Sequence, residues 1–153
     1  MSALFDAATQ THSLRVLLAE DEPGDRELLE IAMMRSGGRC KIETVEDGVE
    51  AMEYLRFEGR YARAVRPDIV ILDLNLPRKD GREVLKEMKA DESLREIPVI
   101  VLSTSYDDGD IRSSYRLGAS SYIVKPGNFR DFNVLIQKLS EYWFSSVTLP
   151  RRV

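Results

Sequence analysis

The feature that most constrains the fold is a short apolar run, Ile69 to Leu72, followed directly by Asp73. Four consecutive aliphatic residues, most of them β-branched, are typical of a strand buried on both faces of a parallel sheet. Asp73 then lies where this strand must pass into a loop. In open parallel sheets, ligands bind at the carboxyl ends of the strands. Asp73 therefore either caps a strand or belongs to a functional site.

The rest of the chain repeats the same pattern of a strand followed by a helix. Four more strands are predicted, at 14–19, 41–45, 98–102 and 121–124, and the second is expected near a sheet edge. Apolar residues at helical spacing follow each strand, with Asn128 or Asp131 as the candidate cap of the last helix. Short strands alternating with helices predict right-handed crossovers and a parallel sheet covered on both faces. The fold class is therefore α/β, a doubly wound five-stranded (βα)5 sheet in one domain.

Composition narrows the class of protein. The 153 residues carry a net charge of −4, which argues against a mainly electrostatic nucleic-acid binder. There is one cysteine, Cys40, and no apolar run near the ~20 residues that span a bilayer. We therefore expect a soluble, cytoplasmic protein that binds neither nucleic acid nor membrane. Residues 1–13 are interpreted as a loose N-terminal segment, 14–142 as the domain, and 143–153 as an apolar and basic tail.

Polar side chains follow the predicted strands at the points where they end. The first strand is followed by Glu20 and Asp21, the third by Asp73, the fourth by Ser103 and the fifth by Lys125. Taken singly, each has a simple structural interpretation: an acidic pair beside a helix start, a turn hydroxyl, a solvated lysine. Because parallel strands end at one edge of the sheet, however, these groups are expected to converge.

This combination points to phosphoryl chemistry. Crowded carboxylates repel one another unless a cation lies between them, and Mg²⁺ favours such oxygen ligands. A lysine and a hydroxyl could then hold a phosphoryl group. A carboxylate can also act as a nucleophile toward phosphorus and form an aspartyl phosphate.

Four segments together resemble the receiver domain of two-component response regulators, a flavodoxin-like (CheY-like) fold, over about residues 14–142. They are Leu-Leu-Ala-Glu20-Asp21-Glu-Pro, Leu-Asp73-Leu-Asn-Leu-Pro77-Arg-Lys-Asp80-Gly81, Val-Leu-Ser103-Thr and Gly118-Ala-Ser-Ser-Tyr122-Ile-Val-Lys125-Pro126. The resemblance implies a signalling switch rather than an enzyme. In that family the lysine–proline bond is usually cis, and the proline is commonly followed by phenylalanine where this chain has Gly127.

By this resemblance, Asp73 corresponds to the residue that accepts a phosphoryl group from a sensor histidine kinase. The resemblance also implies a Mg²⁺ site formed by the acidic pair, the acceptor and one backbone carbonyl: Glu20, Asp21, Asp73 and Asn75.

The same resemblance assigns the remaining strand-end residues. Lys125 corresponds to the lysine that pairs with the phosphoryl group, and Ser103 to the switch hydroxyl that moves to bond it. Tyr122 corresponds to the aromatic switch residue, which turns inward when the hydroxyl moves. Phosphorylation would thereby change the face formed by the fourth helix, fifth strand and fifth helix.

Three further segments resemble stand-alone receivers that partner bacterial phytochromes: the 56–66 connector, the stretch 79–85 and the tail 143–150. Because the chain ends soon after the last predicted helix, we expect no output domain. The tail carries Trp143, Phe144, Val147 and Leu149, which are too apolar for a free terminus. They either fold back on their own domain or form an arm on a second subunit, and the homodimer is slightly favoured.

The main alternative is a metal-dependent phosphatase that forms an aspartyl phosphate on a related α/β sheet. Such enzymes need a general acid two residues after the nucleophile, where this chain has Asn75. A nucleotide-binding module is a third possibility, but the acidic residues at 20–22 would repel phosphate. A serine or cysteine hydrolase is excluded because His12, the single histidine, lies in the N-terminal segment.

Overall fold

The computed structural model describes residues 14–35 and 40–150, with only the backbone described at positions 144 and 145. The predicted loose segment 1–13 and the last residues, 151–153, lie outside the described part. Five strands form one parallel sheet in the order β2-β1-β3-β4-β5. Their bounds are β1 Leu14–Ala19, β2 Cys40–Val45, β3 Ile69–Leu72, β4 Val99–Ser103 and β5 Ser121–Val124.

The burial of each strand follows its place in the sheet. β3 lies between β1 and β4, and all four of its residues are buried, as the continuous apolar run predicts. β2 lies at one edge, and the burial of its residues alternates along the strand. The predicted sheet and the edge position of its second strand are confirmed.

Five α-helices connect or follow these strands within the described residues. They are α1 Pro23–Met34, α2 Gly48–Leu55, α3 Gly81–Ala90, α4 Asp108–Arg116 and α5 Phe129–Glu141. Each helix is preceded by a residue whose side chain accepts a hydrogen bond from a first-turn amide: Glu22, Asp47, Asp80, Asp107 and Asn128. Of the two candidate caps for the last helix, Asn128 fills the position, since its Oδ1 accepts the Asp131 amide at 2.9 Å.

Alternate side chains of the strands enter two apolar cores, one on each face of the sheet. Leu17, Val70 and Val101 pack on the side covered by α2 and α3. The neighbouring positions Leu18 and Ile71 pack on the side covered by α1 and α5. This two-residue periodicity also determines toward which face each residue at a strand end projects.

The last helix continues into a π-helical turn, Tyr142–Ser146, so the predicted domain boundary after residue 142 falls inside a continuous helical segment. Trp143 packs against the α1 and α5 core. Further along, Pro150 lines a small cleft with Pro67 and Pro98, at the amino ends of β3 and β4. Trp143 and Pro150 of the predicted tail therefore contact their own domain, and the side chain of Phe144 lies outside the described part.

Within the described residues, we find no helix that combines the length and the apolar character needed to cross a bilayer.

Candidate functional site

The sheet register brings the carboxyl ends of β1 and β3 side by side. Ala19 pairs with Leu72, so Glu20 and Asp73 follow at the same level, and the Asp73 amide donates to the Ala19 carbonyl at 3.1 Å. Because side chains alternate along a strand, Glu20 projects to the same side as Leu18, and Asp73 to the same side as Ile71, toward α1 and α5. Lys125, two residues after Ile123 of β5, has the same parity. Three of the predicted site residues therefore project toward one face.

Lys125 binds three carboxylates with its ammonium group. Its Nζ contacts Glu20 Oε1, Asp25 Oδ2 at 2.9 Å and Asp73 Oδ2 at 3.2 Å. The side chains of Lys125, Glu20 and Asp73 are 4%, 1% and 9% exposed, whereas that of Asp25 is 28% exposed. We call Glu20, Asp25, Asp73 and Lys125 the acid pocket. Because a lysine ammonium has three N–H donors, each of them meets one carboxylate here.

The loop after β3 holds the carboxylate of Asp73 in place. The Asn75 amide donates to Asp73 Oδ1 at 3.1 Å, while Lys125 binds Oδ2. Gly81 begins α3 directly beside this loop, and a Cβ there would lie 2.1 Å from the Asp73 carbonyl oxygen. Only glycine permits this close approach, which explains the Asp80-Gly81 pair found in the sequence.

Burial and neighbouring charges shift the pKa values of Glu20 and Lys125. Burial raises the pKa of Glu20 to about 7, opposed by the hydrogen bond from Lys125 and reinforced by the charge of Asp73. Burial by itself would lower the pKa of Lys125. The hydrogen bond to Glu20 and the charges of Asp73 and Glu20 outweigh it and raise that pKa. Lys125 therefore stays charged, and one positive charge faces more negative charge than it can neutralise.

Oxygen atoms of Glu20, Asp21 and Asp73 all lie within 4.8 Å of one another. Glu20 and Asp73 are buried, whereas Asp21 is exposed at the mouth of the pocket. Three carboxylate oxygens at this spacing form a donor set suited to a hard divalent cation, which would also relieve their repulsion. The residues present therefore fit a divalent metal site.

The two predicted switch residues lie in the neighbouring strands β4 and β5. Ser103 is buried at the end of β4, where its Oγ accepts the Ser105 amide at 3.2 Å. Its carbonyl accepts the Lys125 amide at 2.7 Å, so β4 and the lysine are joined through the backbone. Tyr122 is half-buried, packs on the α2 and α3 side and donates from its hydroxyl to the Ser105 carbonyl at 2.7 Å. By the alternation of side chains along the strands, Ser103 and Tyr122 project toward the α2 and α3 side of the sheet. The side chains of Glu20, Asp73 and Lys125 project toward the α1 and α5 side.

The structure corrects one detail implied by the resemblance. The described residues contain no cis peptide bond, so the Lys125–Pro126 bond is trans and not cis. The tertiary amide of an X–Pro bond leaves the two forms close in energy, and the dipeptide alone therefore does not decide between them.

Two features of the site were missed in the sequence. Asp25 is the third carboxylate on Lys125, although its place in the first turn of α1, next to the end of β1, could have indicated it. Ser105 donates to Asp110 at 2.6 Å, and Asp110 pairs with Arg82 at 2.7 Å, which links α3 to the loop after β4. No local motif marks this second contact.

The family model of the response regulator receiver domain matches residues 16–137. The chain belongs to the response regulator receiver family. The predicted fold and family are therefore confirmed, and response regulators with receiver domains are signalling switches.

Similar proteins narrow the type of receiver. Response regulator Rcp1 of Synechocystis sp. is 39% identical over 135 residues, which cover 88% of this chain and 92% of that protein. The crystal structure of the phosphorylated cyanobacterial phytochrome response regulator RcpA matches with a TM-score of 0.88 and 47% identity, over 91% of this chain and 99% of that one. The Mn²⁺-bound form of Rcp1 matches with a TM-score of 0.88 and 38% identity, over 90% and 99%. This receiver is thus homologous to phytochrome response regulators.

Proposed function

We propose that Asp73 accepts a phosphoryl group from a phosphohistidine of a sensor histidine kinase. The observation that carries this proposal is the triple contact of Lys125 with Glu20, Asp25 and Asp73, next to carboxylates spaced for a metal ion. In the reaction, an Asp73 carboxylate oxygen forms a bond to phosphorus while the bond from phosphorus to the imidazole nitrogen breaks. The electron pair of that bond leaves with the imidazole of the kinase.

We assign Mg²⁺ as the metal, held by Glu20, Asp21 and Asp73 together with the Asn75 carbonyl. When bound, the ion supplies positive charge to the oxygens of the transferred group. The chain's own residues do the rest: the Asn75 amide and Lys125 fix both oxygens of Asp73, and Lys125 supplies a buried positive charge beside the acceptor. The Mn²⁺-bound Rcp1 structure supports a divalent ion at such a site.

Ser103 and Tyr122 form the proposed switch. Ser103 Oγ would exchange its bond with the Ser105 amide for one with the phosphoryl group. Tyr122 is tied to the carbonyl of that same Ser105, so movement of the loop after β4 would be passed to β5. The result is a two-state change in the face formed by α4, β5 and α5.

The alternative, a phosphatase, finds less support. Asn75 is exposed two residues after Asp73, and its side chain cannot act as the general acid that a phosphatase requires there. We therefore infer a switch that keeps its phosphoryl group and undergoes slow phosphorylation and hydrolysis, without turnover of phosphomonoesters.

Incubation with acetyl phosphate and Mg²⁺, followed by intact mass measurement, tests the proposal. One phosphoryl group should add to the wild type, remain stable in acid and be lost in base, and Asp73→Asn should show no gain. A wild type that gains no mass with Mg²⁺ would refute phosphorylation. Many turnovers of a phosphomonoester per chain would instead favour the phosphatase.

We infer that the partner kinase is a phytochrome in the cytoplasm, because the similar receivers Rcp1 and RcpA are response regulators, the latter of a phytochrome. Phosphotransfer from a purified phytochrome kinase under red and far-red light tests this. Transfer rates equal to those from unrelated histidine kinases would contradict the assignment.

We further propose a homodimer formed through α5. A groove of about 390 Å³ runs between β5 and α5, lined mostly by apolar side chains that include Ile123, Leu135 and Tyr142. Val134 and Tyr142 are 45% and 59% exposed and lie two turns apart on the helix. The described tail contacts its own domain at Pro150, so the support comes from this helix rather than from the expected arm.

Light scattering of Val134→Glu measures the dimer directly. A charge at position 134 should halve the particle mass, because in the dimer it would be buried between the two copies of α5. Tyr106→Ala is the control, since Tyr106 is an aromatic residue that is 81% exposed and lies outside α5. An unchanged mass for Val134→Glu would exclude α5 as the interface.

A further inference from the structure

Asp25 is the one carboxylate on Lys125 that lies outside the set spaced for a metal ion. Glu20 and Asp73 belong to that set, together with Asp21. Asp25 reaches Lys125 from the first turn of α1, with its Oδ2 2.9 Å from the ammonium nitrogen. Unlike the other two partners of the lysine, it can therefore stay on the ammonium when a metal occupies the site.

The contact with Asp25 limits the directions in which the other N–H bonds of the Lys125 ammonium can point. Its three N–H bonds point in fixed tetrahedral directions, and each is used: one on Glu20, one on Asp25 and one on Asp73. Fixing two of these directions fixes the third. The contact to Asp73 is longer, at 3.2 Å, than the 2.9 Å contact to Asp25. The donor aimed at the acceptor is thus held more loosely than the donor that anchors the lysine.

We propose that Asp25 is a positioning residue, which holds Lys125 so that one N–H points at the group transferred to Asp73. The proposal rests on the proposed phosphorylation of Asp73. Asp25 pairs with Lys125 and lies outside the set spaced for a metal ion, so it acts through the lysine. Without Asp25, the carboxylates left to anchor the long side chain of Lys125 are Glu20 and Asp73, and both belong to the set spaced for a metal ion.

A simpler interpretation is that Asp25 only complements the dipole of α1, as acidic residues in a first turn commonly do. That role would affect the stability of the helix and not the rate of phosphoryl transfer. The two interpretations therefore differ in a quantity that can be measured.

The test compares wild type with Asp25→Ala, Asp25→Glu and Glu27→Ala. Glu27 is exposed on the same helix and serves as the control for loss of one negative charge. With acetyl phosphate and saturating Mg²⁺, Asp25→Ala should lower the maximal rate constant about fivefold to tenfold, as expected when a positioned charge loses its orientation. The half-saturating concentrations of phosphodonor and of Mg²⁺ should change less than about twofold. Asp25→Glu should recover part of the rate, and Glu27→Ala should match wild type.

A second measurement needs neither metal nor phosphodonor. In ¹H–¹⁵N spectra of the metal-free protein with labelled lysine, an immobilised Lys125 ammonium should give a resolved signal in wild type and Asp25→Glu. That signal should be lost by exchange with solvent in Asp25→Ala. A normal Lys125 signal in Asp25→Ala, or an unchanged or faster rate, would overturn the positioning role while phosphorylation of wild type still stood. A wild type that is not phosphorylated would overturn both proposals.

Discussion

The acid pocket and the surface around α2 and α3 contain the same kinds of side chain in opposite settings. On that surface, Arg60 pairs with Glu50, Arg78 with Asp47 at 3.1 Å and Lys79 with Glu87 at 2.6 Å. We call these the surface ion pairs. Arg60 and Arg78 are 69% and 62% exposed, whereas Lys125 is 4% exposed.

The difference lies in what water can do for each group. Each base of the surface ion pairs meets one carboxylate, and solvent screens the charge that remains unpaired. The acid pocket opposes one base to three acids where little water reaches, so its excess negative charge has to be relieved by another route. The number of ion pairs is thus a poor guide to function, and a buried imbalance of charge is a good one.

We expect the largest effect from removal of Lys125, the base of the acid pocket. Lys125→Met leaves Glu20, Asp25 and Asp73 without their counter-charge, and phosphorylation should fall at least about 100-fold. The metal-free variant should also lose about 3 kcal/mol in its free energy of unfolding, because buried carboxylates lose their partner.

Urea unfolding with and without Mg²⁺ checks this second effect, since added metal should restore part of the loss. Lys86→Met, at an exposed position of α3, is the control. A Lys125→Met variant as stable as wild type without metal would mean that the pocket carries no uncompensated charge.

Metal binding should change the free energy of unfolding by a smaller amount. Mg²⁺ at 100 times its Kd should raise the free energy of unfolding of wild type by about 2.7 kcal/mol, because it binds only the folded site. Asp21→Asn should abolish most of this gain without changing metal-free stability, since Asp21 is exposed and belongs to the metal set. Thermal unfolding across a Mg²⁺ series measures both. Equal gains in the two proteins would place the metal elsewhere.

The surface ion pairs should respond weakly. Arg78→Ala removes the partner of Asp47, and the free energy of unfolding should fall by no more than about 1 kcal/mol, as is usual for exposed pairs. The phosphorylation rate should stay that of wild type. Urea unfolding at low and high salt checks the first expectation, because screening should erase even this small difference. A loss as large as that of Lys125→Met would contradict the distinction.

The smallest effect at neutral pH is expected at Cys40, where burial acts on a titratable group without an ion pair. Burial, followed by the charge of Asp68, raises the pKa of the Cys40 thiol to about 12. The native state therefore favours the protonated thiol, so this contribution to stability is complete below pH 9 and is lost as pH rises toward 12.

Iodoacetamide should alkylate the native thiol slowly at pH 8, because the thiolate is the reactive form, and should alkylate the urea-unfolded chain at an ordinary rate. Equal rates would show that the thiol is not protected. Cys40→Ala should leave phosphorylation unchanged.

Much of this molecule follows from local patterns in its sequence. Continuous apolar runs marked β3 and β4 as interior strands, and the alternating 41–45 stretch marked the edge. Because parallel strands end at one edge of a sheet, Glu20, Asp73 and Lys125 could be placed together although the sequence scatters them. The roles assigned to all of the site residues, from Asp73 as the acceptor to Ser103 and Tyr122 as the switch, stay predictions.

What escaped prediction depends on how elements pack on one another. The position of Asp25 in the first turn of α1 brings it to the correct end of the sheet, but its contact with Lys125 also depends on the angle at which α1 leaves β1. The fate of the tail depends on whether its apolar residues find a surface nearby, and Pro150 does so at the cleft formed with Pro67 and Pro98. Composition shows that such apolar residues must be covered, but it does not identify the surface that covers them.

The contact between Lys125 and Glu20 joins positions 105 residues apart, and β5 is the last strand to be made. While the chain is being synthesised, the first four strands and all three acidic residues of the acid pocket leave the ribosome before its lysine. The site closes only when the final strand joins the sheet and brings its lysine. Under the proposed function, a nascent or truncated chain without β5 would therefore lack the lysine that holds the transferred group, and only the completed domain would respond to the kinase.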